Sequence, residues 1–590
     1  MFFKDIDPLT PEEVFRKLDA QRRPEGGTED LTGWKFSARL EGDYAPQQLD
    51  YEFIDGETLR CTENGTAFTA PYGAVRLGEI VLFSHLVPGT DRGWHCILDR
   101  RSGAMTAFET WFGTEVPINT DPMMKLPPDG SRTIPREVQR QISFGWADFG
   151  GSARPEKLHG TTNRLEGRGL HWKFSTGYEI LSFFPSVICS TVVELGAEEG
   201  GITVAHPTDF LRIDDESFII SRGEVEFSGK LWIDLVSFFD CAAVGLELGF
   251  GDGNEFVYLF HSAKLSITGD CAHLESITDY GEDLIPSRSA VGVRGGRYAY
   301  RPKDFRKPAN HAEALRLARE HSVILEENSA NRMASKNGLP PTDFLAGKQF
   351  RVIPDGAPHT AAPWAGEKQL AYEYDVLSAD RLRWRLSGGA WQEEKYICYE
   401  PARGLYLFSH MLTGDPDFAN VTQAVDFTDG LATTIRAQIG CWHSEWEVGS
   451  QVQFGTLEYG DLVPPFARRH HFTDELVGRS YAWSYSKMLN SIHVYSAPES
   501  YSWTIFREDG SGGPTWSSPC YYIKLRSDAY ILQWVEENCN GKQGLVVINP
   551  RILHDGGFFF GVGPEGLSLN TTGAYGRELG RYDILKYFGK

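Results

Sequence analysis

Short stretches in which every second residue is apolar run through most of this chain. Leu49, Tyr51 and Phe53 alternate with Asp50 and Glu52, the period of a half-buried strand. Phe218 and Ile220 follow the turn residues Asp214-Asp215, and Tyr530 and Leu532 follow Ser527-Asp528 in the same way. Gly251-Asp252-Gly253-Asn254, between Leu246-Glu247-Leu248 and Phe256-Val257-Tyr258, predicts a hairpin turn. Helical signals are few. Thr10-Pro11-Glu12-Glu13 is a capping box with Pro at the first helical position and predicts a helix to about Ala20. Asn310 with Glu313 opens a second, expected to run to near Glu326. The 62 glycines and 31 prolines suit many short strands joined by tight turns, so the pattern predicts an all-β protein of small barrels or sandwiches.

The pattern also repeats. The segment from Val81 to Gly89 (VLFSHLVPG) returns as Tyr406 to Gly414 (YLFSHMLTG), and the Leu-x-Gly-x-x-Phe of Leu31 to Phe36 returns as Leu345 to Phe350. Leu49 to Phe53 pairs with Leu370 to Tyr374, which sets Tyr372 opposite Tyr51. Leu165-Glu166-Gly167-Arg168, Trp172 and Ser175 return as Leu476-Val477-Gly478-Arg479, Trp483 and Ser486; Gln141, Phe144 and Gly145 return as Gln451, Phe454 and Gly455. Blocks in constant order at near-constant spacing mark a tandem duplication. Each copy divides again, giving four β modules. The expected boundaries are a helical lead-in at 1–30, barrel 1 at 31–118, a linker at 119–159, barrel 2 at 160–285, a linker with a helix at 286–343, barrel 3 at 344–445, a linker at 446–474 and barrel 4 at 475–590.

The order Leu-x-Gly-x-x-Phe, Leu-x-Tyr-Glu-Phe, a strand like VLFSHLV and then Leu98-Asp99-Arg100 resembles the N-terminal domain of the molybdenum cofactor biosynthesis protein F family. Leu-x-Gly-Arg followed by Trp and Ser, then Leu211 to Asp215 and Phe218 to Ile220, is similar to that family's C-terminal domain, as are Ile523-Lys524-Leu525 and Tyr530 to Glu536. The resemblance implies four lipocalin-like (calycin) antiparallel β-barrels in two tandem N–C pairs. It also implies a likeness in architecture to phenolic acid decarboxylases.

Charge and composition narrow the function. With 58 Lys and Arg against 80 Asp and Glu the chain carries a formal charge of −22 and has no dense basic cluster, which argues against nucleic acid and anionic membranes as partners. No apolar run approaches the roughly 18 residues of a membrane helix. The start lacks the basic and apolar regions of a secretory signal, and nine cysteines without regular spacing suggest buried thiols, so a cytoplasmic protein is expected. Asn64, Asn420 and Asn570 fit glycosylation sequons, taken as chance. Gly561 to Gly566 fits GxGxxG but is interrupted by Pro564. Cys441-Trp442-His443 and Arg468 to His471 lack companion ligands, so no metal or nucleotide cofactor is expected.

Chemistry in a calycin barrel belongs on inward-facing residues near the mouth. His85 and His410 are the catalytic candidates, since a histidine can move a proton unaided. The adjacent Ser84 and Ser409 cannot form dyads with them, because consecutive strand residues face opposite ways. The alternative for each histidine is a hydrogen-bonded core residue beside Phe83 or Phe408. Aligning the modules sets Arg222 and Trp534 at the same strand position as the histidines. Tyr51 and Tyr372 should point inward, with Glu52 outward. Tyr481, Trp483 and Tyr485 share one face and could stack a flat ligand, while Arg168 and Arg479 could hold a carboxylate, the bland alternative being an aromatic core and surface arginines. The expected function is a cofactor-independent enzyme that isomerises, cyclises or decarboxylates a small, partly aromatic metabolite, as in secondary metabolism. The competing readings are a small-molecule carrier, or an accessory to molybdenum cofactor supply. A scaffold in which only one barrel keeps its cavity is a third, and the aromatic load points to barrel 4 as that one. The sequence leaves the oligomeric state open.

Overall fold

The computed structural model describes residues 9–41, 47–116, 132–196, 201–224, 229–271, 308, 310–326, 335–356, 371–440, 447–486, 489–506, 512–536, 541–563 and 566–589. The architecture is all-β, with four eight-stranded antiparallel rings. Barrel 1 runs from Lys35–Glu41 to Arg132–Asp148, and its first and last strands pair. Barrel 3 runs from Gln349–Pro354 to Val448–Glu458 and closes likewise. Barrel 2 comprises the strands from Arg168–Phe174 to Phe256–Asp270, joined into a ring by pairing of Cys189–Leu195 with Thr203–Arg212. In barrel 4 the ring from Arg479–Ser486 round to His554–Gly563 and Tyr575–Arg581 closes through one pair, His554 with Tyr575.

Two boundaries differ from the sequence reading. The stretches at 119–159 and 446–474, expected to be linkers, contain the closing strands of barrels 1 and 3. Their Phe-Gly signature has a physical cause. Gly145 and Gly455 lie where the closing strand crosses the first, and a side chain at either would overlap the carbonyl of Arg39 or Ile353. Gly167 and Gly478 of the Leu-x-Gly-Arg motif both adopt φ of +86°, which favours glycine, and both abut a backbone carbonyl.

The first helix, α1 (Pro11–Ala20), has the expected reciprocal cap between Thr10 and Glu13. The second, α2 (His311–Glu320), ends six residues before the expected Glu326. There the β-branched Val323 and Ile324 pair in parallel with Gly566–Thr572 instead. Each helix packs where the two barrels of its pair meet: Val14 and Leu18 with barrels 1 and 2, Ala314 and Ala318 with barrels 3 and 4. The strands at these interfaces are buried on both faces, which is why Ile80–Leu86 reads as an almost unbroken apolar run. Val81 and Phe83 fill barrel 1, while Ile80 and Leu82 pack against barrel 2. Cys61, Cys96, Cys189, Cys271, Cys398 and Cys520 are buried thiols, whereas Cys241 lies exposed in a turn, against expectation; Cys441 and Cys539 lie outside the described residues. Asn420 and Asn570 are buried in strands.

Candidate functional site

The rings differ in what they enclose. Barrels 1 and 3 carry dense clusters of buried side chains among the described residues. In barrel 1, His85 is fully buried, its Nε2 is 3.3 Å from Tyr51 Oη, and Phe36, Phe53 and Phe83 pack around that tyrosine. In barrel 3, His410 donates from Nδ1 to the Met411 carbonyl (2.7 Å). Its Nε2 lies 3.2 Å from Tyr374 Oη, which also accepts from Gln423 (3.0 Å). Burial pulls both histidines down to about 4, so both are neutral at neutral pH. Both catalytic candidates thus lie in barrel interiors beside a tyrosine hydroxyl, and His85 Nδ1 has no hydrogen-bond partner among the described residues. The tyrosine equivalent to Tyr51 is Tyr374, not Tyr372: Phe36 pairs with Tyr51 and Phe350 with Tyr374. Tyr372 packs one layer away against Trp384. Ser84 faces outward, 2.6 Å from His95 Nδ1 and 2.7 Å from Tyr258 Oη of barrel 2.

Barrels 2 and 4 are hollow at one end, with cavities of about 340 Å³ and 260 Å³. Strand register makes the two directly comparable. Arg222 faces Trp232 on the next strand of barrel 2, and at the same places in barrel 4 Trp534 faces Gly544. With His85 and His410, Arg222 and Trp534 are each the sixth residue of the fifth strand of a ring, as the sequence alignment expected. Glu224 and Lys230 at the lip of barrel 2 match Glu536 and Lys542 at the lip of barrel 4. Deeper in, Ile180 and Glu194 form one cross-strand pair, and Ser491 and Ile505 form its counterpart.

The barrel 2 cavity is charged. Arg222, 4% exposed, pairs with the fully buried Asp234 (3.2 Å), whose other oxygen is 2.7 Å from His261 Nε2. The Arg222 guanidinium lies over the Trp232 ring at 4.8 Å. Lys230 contacts Glu247 (2.7 Å) and Glu224 (3.6 Å), and the attraction of these carboxylates outweighs burial and holds its ammonium above the ordinary range. Tyr178 donates to Glu194 (2.5 Å).

The barrel 4 cavity is aromatic. Tyr485, Tyr501, Trp503, Trp534 and Phe559 form its walls, with Trp534 edge-on to Phe559 and Trp503 stacked on Trp516. Gly544 makes room for Trp534, since a methyl group there would overlap the indole. His493 also lines the cavity. It is 4% exposed, burial pulls it down to about 3, and its Nδ1 has no hydrogen-bond partner among the described residues. The expected aromatic trio divides by depth: Tyr485 lines the cavity, whereas Trp483 and Tyr481 pack beneath it, stacked on each other at 5.5 Å.

The two candidate arginine clamps line neither cavity. Arg168 is bound to Asp270 (3.1 Å), and Arg479 donates to Tyr481 Oη (3.0 Å) and faces Glu578 (3.7 Å). The sequence reading missed His206, His493 and the Glu–Lys lip. The lip was visible in principle as Glu-x5-Lys at matching places, Glu224 to Lys230 and Glu536 to Lys542. Among the described residues no helix is long and apolar enough to cross a membrane, and no group of three or more His, Cys, Asp or Glu is placed to hold a metal ion. His470, from the dismissed Arg-Arg-His-His run, is buried beside Thr433, as His159 is beside Thr106. Cys441-Trp442-His443 lies outside the described residues.

Taken together, ring closure, tandem pairing and end-on cavities define a multi-barrel protein of the small β-barrel class, fitting the lipocalin-like architecture. Residues 470–581, which span barrel 4, match the MoaF C-terminal domain. No curated protein matches the chain.

Proposed function

We propose that this protein encloses a small, flat, largely apolar organic molecule in barrel 4, with a donor group of the ligand hydrogen-bonded to His493 Nδ1. The observation that carries this reading is that nitrogen. It is a buried ring nitrogen with no hydrogen-bond partner among the described residues, set among aromatic walls that suit a planar guest. A neutral imidazole accepts without demanding a counter-ion, so an uncharged hydroxyl or amide N–H is the matching group.

A second reading is favoured by Asp555. By strand alternation it shares the inward face of Phe559. It is 1% exposed, its one described partner is the Ala574 N–H (2.6 Å), and burial pushes it up to about 8. A carboxylic acid that keeps its proton at neutral pH is a proton donor. On this reading the barrel catalyses isomerisation, cyclisation or decarboxylation of its guest without a metal or nucleotide. The resemblance to the molybdenum cofactor biosynthesis family supplies the remaining alternative, a non-catalytic carrier or an accessory to that supply.

Native mass spectrometry of the purified protein, then extraction, identifies a retained guest. Trp534→Ala should weaken its binding at least tenfold. Unchanged retention in that variant would place the guest elsewhere. Turnover across a panel of phenolic acids that is abolished by Asp555→Asn supports catalysis; binding without turnover supports the carrier.

A further inference from the structure

We infer that barrel 2 is a second, independent binding site that takes a small aliphatic ammonium compound bearing a hydroxyl or second amine, with its charged end at Glu194. The argument begins by pairing off the charges around the cavity. Arg222 is neutralised by Asp234, and Lys230 by Glu247 and Glu224. The carboxylate left on the cavity wall is that of Glu194. Glu194 is half-buried on the cavity wall, accepts a hydrogen bond from Tyr178, and has no Lys, Arg or His of the described residues within ion-pair distance. At the mouth, Asp252 and Glu255 lie within electrostatic reach of the buried Arg136. A carboxylate in a partly desolvated cavity is stabilised most by a cation that brings its own charge.

The second observation is independent of charge. His206 lines the same cavity, is 4% exposed, and its Nδ1 has no hydrogen-bond partner among the described residues. Burial holds this histidine down at about 4, so it is a neutral acceptor at neutral pH. It lies opposite Ser190, four residues along the strand from Glu194, so one nitrogen of a ligand would not serve both groups. Ile180, Val192 and Val204 line the space between. Cation, short apolar body and distal donor is the chemistry that satisfies all three. Barrel 4 cannot take the same ligand, because Ile505 stands where barrel 2 has Glu194.

Isothermal titration of the whole protein with 4-aminobutan-1-ol and with its charge-reversed analogue 4-hydroxybutanoate tests this directly. The amine should bind once per chain, and the carboxylate at least tenfold more weakly. Glu194→Gln, checked for folding by thermal melt, should weaken the amine at least tenfold. Three results would overturn the proposal: no amine binding, carboxylate binding of equal strength, or an unchanged affinity in a folded Glu194→Gln protein. The first two need only the unmodified protein.

Discussion

Barrels 2 and 4 share strand order, register and a Glu–Lys lip, yet one cavity is lined by an ion-paired arginine and the other by tryptophan. The exchange is coordinated across neighbouring strands. Where barrel 2 has Arg222 against Trp232 over Asp234, barrel 4 has Trp534 against Gly544 over Val546. In both, one indole fills the space between the two strands, supplied from opposite sides. The arginine brings a buried counter-ion with it, and the tryptophan brings a glycine. The duplicated barrels thus differ in cavity chemistry through a set of positions that must change together, because a buried charge needs its partner and a second large ring needs a vacancy.

The comparison is most easily broken at the counter-ion. Asp234→Ala leaves Arg222 buried without its carboxylate and should cost about 3–5 kcal/mol, read as a large loss in chemical denaturation. The matching Val546→Ala removes two methyl groups and should cost about 1.5 kcal/mol. A near-equal cost at the two sites would mean that the Arg222–Asp234 pair contributes no more than packing.

A second contrast lies in pH. Asp555 of barrel 4, whose counterpart in barrel 2 is Ala243, keeps its proton in the folded state up to about pH 8, whereas the unfolded chain loses it near 3.8. Below the unfolded value both states are protonated. Between the two values the folded state binds the extra proton, so stability falls as pH rises, with a limiting slope of about 1.4 kcal/mol per pH unit. The buried neutral histidines, His206 and His493 among them, act oppositely. Their folded values are depressed to about 4 and about 3, so stability falls as pH drops below about 6.5. Glu394, which burial raises to about 7, adds to the decline up to that pH, so Asp555→Asn should flatten it chiefly between about pH 7 and 8 in urea titrations.

Gly544→Ala should cost about 1–3 kcal/mol by crowding Trp534. In a Trp534→Ala background most of that cost should vanish, giving a coupling energy of about 1 kcal/mol or more in a double-mutant cycle. Additive costs would separate the two residues. The smallest expected effect concerns barrels 1 and 3. His85→Ala and His410→Ala should lower stability but leave guest binding in barrel 4 unchanged by titration; a loss of binding in folded variants would return function to barrels 1 and 3.

Much of this was legible along the chain. Period-two alternation placed the strands, and the recurring Gly, Trp and aromatic blocks gave the duplication and the shared position of His85, Arg222, His410 and Trp534. Other features were hidden for physical reasons. A slip of two residues preserves strand alternation, so Tyr372 and Tyr374 were indistinguishable as partners of Tyr51 until hydrogen-bond register chose Tyr374. The closing strands of barrels 1 and 3 looked like linkers because the partner that closes each ring lies about a hundred residues earlier in the chain. Arg168 and Arg479 looked available because their partners Asp270 and Glu578 are equally remote.

The sequence by itself determined the all-β character, the twofold copying of a barrel pair and the glycines on which ring closure depends, because these rest on local periodicity and on backbone space that a side chain would occupy. Only the tertiary structure decided which rings are densely packed and which are hollow at one end. That outcome depends on how side chains from eight strands, far apart in the chain, divide one interior among them, and on which buried nitrogen or carboxylate they leave unmatched.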